Sequence, residues 1–245
     1  MTERKGIVCS RPSRLLRKLV VEDPAAVAAE RLVQAAAAGG HIALAGGSTP
    51  RAAYEKAAAA DVDWSRATIW FGDERCVPPD HEHSNYAMAR AALLDRIDTQ
   101  PRVRRIEGER GPDQAAAAYE DVLREDFGEG LPELDLMLLG LGPDAHTASL
   151  FPGAAALGES ERLAVGIETP GMAPLVSRVS LTLPVVNAAR EVIFLVSGAD
   201  KAEAVARAFS GPADPAAPAS LVRPCSGALT LALDPAAAGR LEGGA

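Results

Sequence analysis

The feature that most constrains this chain is how its apolar segments end. His41-Ile-Ala-Leu-Ala45 runs into Gly46-Gly-Ser-Thr-Pro50, and Ala67-Thr-Ile-Trp-Phe71 runs into Gly72-Asp-Glu-Arg75. Leu134 to Leu139, with Asp135 inside it, runs into Gly140-Leu-Gly-Pro143, and Val192-Ile-Phe-Leu-Val196 into Ser197-Gly198. Short apolar runs closed by glycine or proline predict buried strands that stop sharply. Helix-forming stretches lie between them. Asp23-Pro24 opens an Ala-rich helix over 24–38, Pro50 sits in the first turn of a helix over 51–60, and Ser84 caps a helix to about residue 97. Gly111-Pro112-Asp113 opens another helix, to about Phe127, and Asp234-Pro235 opens a final one after a strand at Ala228 to Leu233. Residues 101–107, 162–167 and 177–183 alternate enough to be further strands, the first of them at an edge. Strands alternating with helices predict an α/β fold: a doubly wound, mostly parallel, Rossmann-like sheet with helices on both faces.

In such a sheet the loops at the carboxyl ends of the strands carry the ligand, so those loops hold the candidate residues. Gly46 and Gly47 let backbone approach a ligand, a helix N-terminus follows, and Ser48 and Thr49 add hydroxyls; together they suit a phosphate. The loop is neither the nucleoside-triphosphate nor the dinucleotide glycine fingerprint. An ordinary tight turn with a Ser/Thr cap fits it equally. Asp73 and Arg75 place charge directly after an apolar run, as a site or as a structural salt bridge, and Asn85 lies in the following Ser84-Asn-Tyr86. Asp144 stands at a helix N-cap position before His146-Thr-Ala-Ser-Leu150. Alone, that pair reads as a cap and a structural histidine; with two further loops of the same kind it reads as a proton-transfer site. Arg178 begins one strand. Lys201 opens a helix against its dipole, which a bound anion would explain and a solvated first-turn lysine would explain too.

Composition narrows the function class. The 245 residues are 48% hydrophobic with net charge −8, enough for one domain, 1–245. No apolar run is long enough to span a bilayer and no signal-like core opens the chain, so a soluble, cytoplasmic protein without a membrane partner is expected. No Lys/Arg stripe marks a nucleic-acid partner; Arg14 to Lys18 reads as a solvated basic cluster. Cys9, Cys76 and Cys225 are odd in number and far apart, so reduced thiols are expected rather than a disulfide framework. His81-Glu82-His83 lies in a polar loop without helical metal spacing and is read as solvated.

These loops, taken together, resemble the 6-phosphogluconolactonase family. The matching stretches are Ala45 to Pro50, Trp70 to Arg75 with Ser84-Asn-Tyr86, Gly140 to Pro152, Arg178 to Pro184, and Gly198-Ala-Asp-Lys201, in family order over most of the chain. The resemblance implies the α/β fold shared with hexosamine-6-phosphate isomerase/deaminases. It implies hydrolysis of 6-phospho-D-glucono-1,5-lactone, the second step of the pentose phosphate pathway, with no metal or organic cofactor. The chain departs from the family at Ala145, where a glycine is usual between the Asp and the His. On this reading His146 is the general base, Asp144 or Asp73 orients it, and Arg75 and Arg178 stabilise the oxyanion or hold the sugar acid. Gly46, Gly47, Ser48, Thr49 and Lys201 hold the phosphate, and Asn85 lies among the substrate contacts. A phosphosugar lactone is the partner, and the protein is a monomer or small homo-oligomer. Two alternatives stay open: a hexosamine-6-phosphate isomerase/deaminase, and a non-catalytic sugar-phosphate sensor. The sensor usually carries a DNA-binding segment, for which the roughly twenty residues before Pro24 are too few.

Overall fold

The computed structural model describes residues 16–241. The first strand, β1 (Leu16–Val20), precedes α1 (Pro24–Ala37), which starts where Asp23 accepts a hydrogen bond from the Ala26 N–H and Pro24 supplies a fixed φ. β2 (His41–Leu44) leads into α2 (Ser48–Ala58), β3 (Thr68–Phe71) into β4 (Asp73–Arg75), and α3 (Asn85–Ala92) follows the loop beyond. β5 (Arg102–Val103), α4 (Pro112–Phe127) and β6 (Leu136–Leu139) form the middle of the chain. The rest is β7 (Ala164–Ile167), β8 (Arg178–Leu181), α5 (Leu183–Ala188), β9 (Glu191–Val196), α6 (Ala202–Phe209) and β10 (Ala228–Leu233).

Among the described residues, seven strands form one parallel sheet in the order β1-β10-β9-β6-β2-β3-β5. Chain order reverses on either side of β2 and β6, whose carboxyl ends therefore open onto the crevice that such a sheet leaves for a ligand. The fully buried runs Ile42–Leu44, Ile69–Phe71 and Leu136–Leu139 fill the middle of the core, as expected of strands covered on both faces. Helix α1 packs on β2, β6, β9 and β10, and α4 on β7 and β8. β5, only two residues long, lies at the sheet edge where sequence put it.

A second, antiparallel sheet, β4-β8-β7, was not legible as such. The strands expected at 162–167 and 177–183 belong to it, and the Asp73–Arg75 segment, taken for a loop, is its third member, with Arg75 opposite Arg178. Other expectations fail locally. No helix follows Asp144: residues 143–150 turn, with Ala145 at φ 65° and Ala148 at φ 49°, and close through a bridge between Thr147 and Leu150. Left-handed backbone cannot continue into a right-handed helix. The residues after Asp234-Pro235 form turns rather than a helix, although Asp234 still accepts from the Ala237 N–H. The described part of the basic cluster, Arg17 and Lys18, is exposed as expected, although it lies in the edge strand β1; Arg14 lies outside the described residues. Cys76 is a free thiol, Cys225 is disulfide-bonded, contrary to the reduced state expected of it, and Cys9 lies outside the described residues.

Candidate active site

The crevice at the carboxyl ends of β2, β6 and β9 is a cleft of roughly 260 Å³. Ten of the eleven residues singled out from sequence line it: Gly46, Gly47, Ser48, Thr49, Asp73, Arg75, Asn85, His146, Arg178 and Lys201. The eleventh, Asp144, stands behind His146.

One side of the cleft suits an anion. Gly47, at φ 112°, ends the turn after β2 and aims the first N–H groups of α2 at the cleft. The Ser/Thr cap that sequence allowed as an alternative is not formed, because Gly47 occupies the N-cap and α2 has no side-chain cap. The Ser48 and Thr49 hydroxyls are thus free among the described residues. Lys201, at the start of α6, forms no ion pair there either and lines the same cleft. Free donors, a helix N-terminus and an unpaired ammonium are the groups that can hold an anion. Gly46 has a different reason: a Cβ there would lie 2.1 Å from the Asn85 Oδ1, so only glycine lets Asn85 come this close.

The other side carries a histidine held by a carboxylate. The His146 Nδ1 lies 2.5 Å from the Asp144 Oδ1, which also accepts from the His146 N–H at 3.1 Å. A carboxylate only accepts, so this contact puts the ring proton on Nδ1 and leaves Nε2 with a lone pair. Gly142 makes the arrangement sterically feasible, since a Cβ there would fall 2.0 Å from the Nδ1. Of the two acids considered for orienting the histidine, Asp144 makes the contact. Asp73 instead accepts from the Ser149 Oγ at 2.7 Å and the Asn85 Nδ2 at 3.2 Å.

Two arginines complete the wall. The Arg75 Nη1 donates to the His83 carbonyl at 2.8 Å and to the Asn85 Oδ1 at 2.7 Å, so the salt bridge allowed from sequence is absent and Arg75 is held by neutral acceptors. The Arg178 Nη2 donates to the Met172 and Pro174 carbonyls. The Nε of each arginine is buried without a partner among the described residues. An orphaned guanidinium donor is costly unless a ligand oxygen takes it. Burial pulls Arg178 below its usual pKa, the Asp73 charge opposes that, and Arg75 adds to it.

Sequence reasoning missed Glu74 and Ser149. Glu74 is buried, and its carboxylate accepts from the Arg75, Asn85 and Tyr86 N–H groups and the Ser84 hydroxyl. Burial raises its pKa while those donors lower it. It holds the start of α3, and with it Asn85, against β4. Ser84 is the N-cap of α3, as sequence indicates, but no local signal marks an acid ten residues away as a further acceptor for its first N–H groups.

Fold and cleft define the class: an open-sheet α/β protein with an anion site and a histidine–aspartate pair at the carboxyl edge of its sheet. Comparison with known proteins narrows this. The family model described as glucosamine-6-phosphate isomerases/6-phosphogluconolactonase matches residues 17–231, and the chain belongs to that family. A 6-phosphogluconolactonase from Nostoc is 43% identical over 207 residues, covering 82% of this chain and 84% of the relative. The human 6-phosphogluconolactonase is 43% identical over 177 residues, covering 71% of this chain and 68% of its own length. The solved structure of 6-phosphogluconolactonase from Trypanosoma cruzi superposes with a TM-score of 0.82 at 32% identity, over 96% of this chain and 100% of its own.

Proposed function

We propose that this chain hydrolyses 6-phospho-D-glucono-1,5-lactone to 6-phospho-D-gluconate, in the oxidative branch of the pentose phosphate pathway. The observation that carries the reading is a histidine, fixed by Asp144, in the same cleft as Ser48, Thr49 and Lys201, whose donors have no protein partner among the described residues. The relatives at about 40% identity support it.

The phosphate binds Gly46, Gly47, Ser48, Thr49 and Lys201, which fixes the sugar ring across the cleft. His146 Nε2 takes a proton from a water that attacks the lactone C1, while Asp144 steadies the imidazolium through Nδ1. The carbonyl electrons move to oxygen, and the Arg75 and Arg178 guanidinium groups, which line the cleft, stabilise that developing charge. When the tetrahedral intermediate collapses, the C1–ring oxygen bond breaks and His146 returns its proton to the leaving oxygen. Asp73, tied to Ser149 and Asn85, keeps the Asn85–Arg75 side of the cleft in register. No step requires a covalent nucleophile. Residues 1–245 act as one catalytic domain, a reading supported by the continuous hydrophobic core. The protein works in the cytoplasm as a monomer or small homo-oligomer, on a phosphorylated metabolite whose charge keeps it inside the cell.

Hydrolysis followed by pH-stat, corrected for spontaneous opening of the lactone, tests the assignment. His146→Ala is expected to lower kcat by about 10²–10⁴-fold, the usual contribution of general base catalysis, while 6-phosphogluconate still binds. A His146→Ala protein with near wild-type kcat would remove His146 as the base.

A further inference from the structure

Phe151 is 3% exposed, yet its ring lies among the groups of the site. One neighbour is the His146 imidazole, with ring centroids 4.5 Å apart and planes tilted by 41°. Another is Arg178, whose guanidinium carbon is 5.3 Å from the Phe151 ring centroid. Gly171 is the third: a Cβ there would come within 3.2 Å of the Phe151 ring. The segment carrying Gly171 also supplies the Met172 and Pro174 carbonyls that hold the Arg178 Nη2. Ring and carbonyls therefore form one seat for one guanidinium.

The seat is unusual in its chemistry. Arg178 is 3% exposed, and a buried arginine is ordinarily paired with a carboxylate. Among the described residues no acid forms an ion pair with Arg178; Asp73 acts on it only through space. A carboxylate in contact would neutralise the charge locally and occupy a donor. The negative face of an aromatic ring stabilises the cation without taking any hydrogen-bond donor. The Nε therefore stays unpaired, buried beneath the cleft wall that Arg178 lines.

We infer that Phe151 is a positioning residue for Arg178: its ring holds the buried guanidinium at the cleft wall, its charge unmatched by any contacting carboxylate, for the oxygen that becomes negative during lactone opening. The inference rests on the hydrolytic reading of the site. An interaction realised only as charge develops lowers the barrier without tightening substrate binding, so its loss appears in kcat and leaves KM in place.

The test is a series at position 151 in the full-length protein, with phenylalanine replaced by mono-, di- and trifluorophenylalanine. Fluorination weakens the ring's negative face while nearly preserving its volume. The expected result is a stepwise fall in kcat, about tenfold over the series, the size of a desolvated cation–π contact, with KM unchanged. Repeating the series in Arg178→Gln should abolish the dependence, because the cation is gone. Phe151→Leu should fall at least as far as the trifluoro variant. A flat series on an active wild type overturns the inference alone. So does an effect confined to KM, or a dependence that persists in Arg178→Gln and so acts through His146. A wild type that opens no phosphorylated lactone overturns the functional reading, and this inference with it.

Discussion

At the scale of single residues the site rests on close approaches that sequence names but does not place. Asp144 and His146 were recognisable as a proton-transfer pair, but placed at the start of a helix. The structure gives them a left-handed turn instead, and that turn brings the carboxylate to the Nδ1. Ala145, where the family usually has glycine, adopts φ 65° and is fully buried. Left-handed backbone costs a non-glycine residue about 1–2 kcal/mol. Glycine would relieve that cost, but it would give up a buried methyl, about 0.8 kcal/mol, and about 0.4–1 kcal/mol of chain entropy. The opposing terms nearly cancel. Ala145→Gly is therefore predicted to shift stability by less than about 1 kcal/mol in denaturant melts, with kcat unchanged. Ala145→Val adds a branched Cβ in the same conformation and is predicted to cost about 2 kcal/mol or more. A clear gain of activity in Ala145→Gly would show instead that the alanine distorts the catalytic turn. Asp144→Asn tests the pair itself. An amide can donate to Nδ1 and so favour the wrong tautomer, and a large loss in kcat with little change in KM is expected. Unchanged kcat would assign the orienting role elsewhere.

At the scale of elements, legibility followed how far each segment depends on local signals. β2, its glycine turn and α2 were readable because the apolar run, the glycines and Pro50 lie together in sequence and each fixes backbone on its own. β4 was hidden because Asp73-Glu-Arg75 carries no apolar pattern. It is a strand only because β8 pairs with it, and its charged side chains are tolerated because one side is the cleft wall and Glu74 meets the N-terminus of α3. Pairing at a distance of about a hundred residues has no local trace. The α2 turn also makes a prediction that belongs to the element. The helix N-terminus, Ser48, Thr49 and Lys201 line one side of the cleft, and on the proposed function removing Lys201 or both hydroxyls should weaken binding of the phosphate rather than the chemistry. Losing one charge-assisted contact costs roughly 1.5–3 kcal/mol. Lys201→Ala and the Ser48→Ala/Thr49→Ala double variant are expected to raise KM accordingly at near-constant kcat. Glucono-1,5-lactone without the phosphate should be a poor substrate of the wild type. Equal turnover of the two lactones would mean that the donors at α2 serve something other than a phosphate.

At the scale of the whole molecule, the fold leaves the reaction open. The family takes in glucosamine-6-phosphate isomerases as well as 6-phosphogluconolactonases, and one sheet with one phosphate site can serve both. The difference lies in what stands beside the histidine. Deamination of an amino sugar phosphate starts by opening a hemiacetal and then moves a proton between C2 and C1. The deaminase pattern carries a glutamate five residues after the histidine to assist through it. Here that position is Phe151, whose ring fills the space between His146 and Arg178 and is almost wholly buried. It can neither accept nor donate a proton, and the hydrogen-bonding partner that His146 has, Asp144, is on the other ring nitrogen. A lactone needs only attack at a carbonyl, one base, and donors for the oxyanion, all of which line the cleft. The protein is therefore predicted to open the phosphorylated lactone and to release no ammonia from glucosamine 6-phosphate. Both reactions can be followed on one preparation, the first by pH-stat and the second by a coupled ammonia assay. Ammonia formed at a rate comparable with lactone opening would show that a proton route past Phe151 exists.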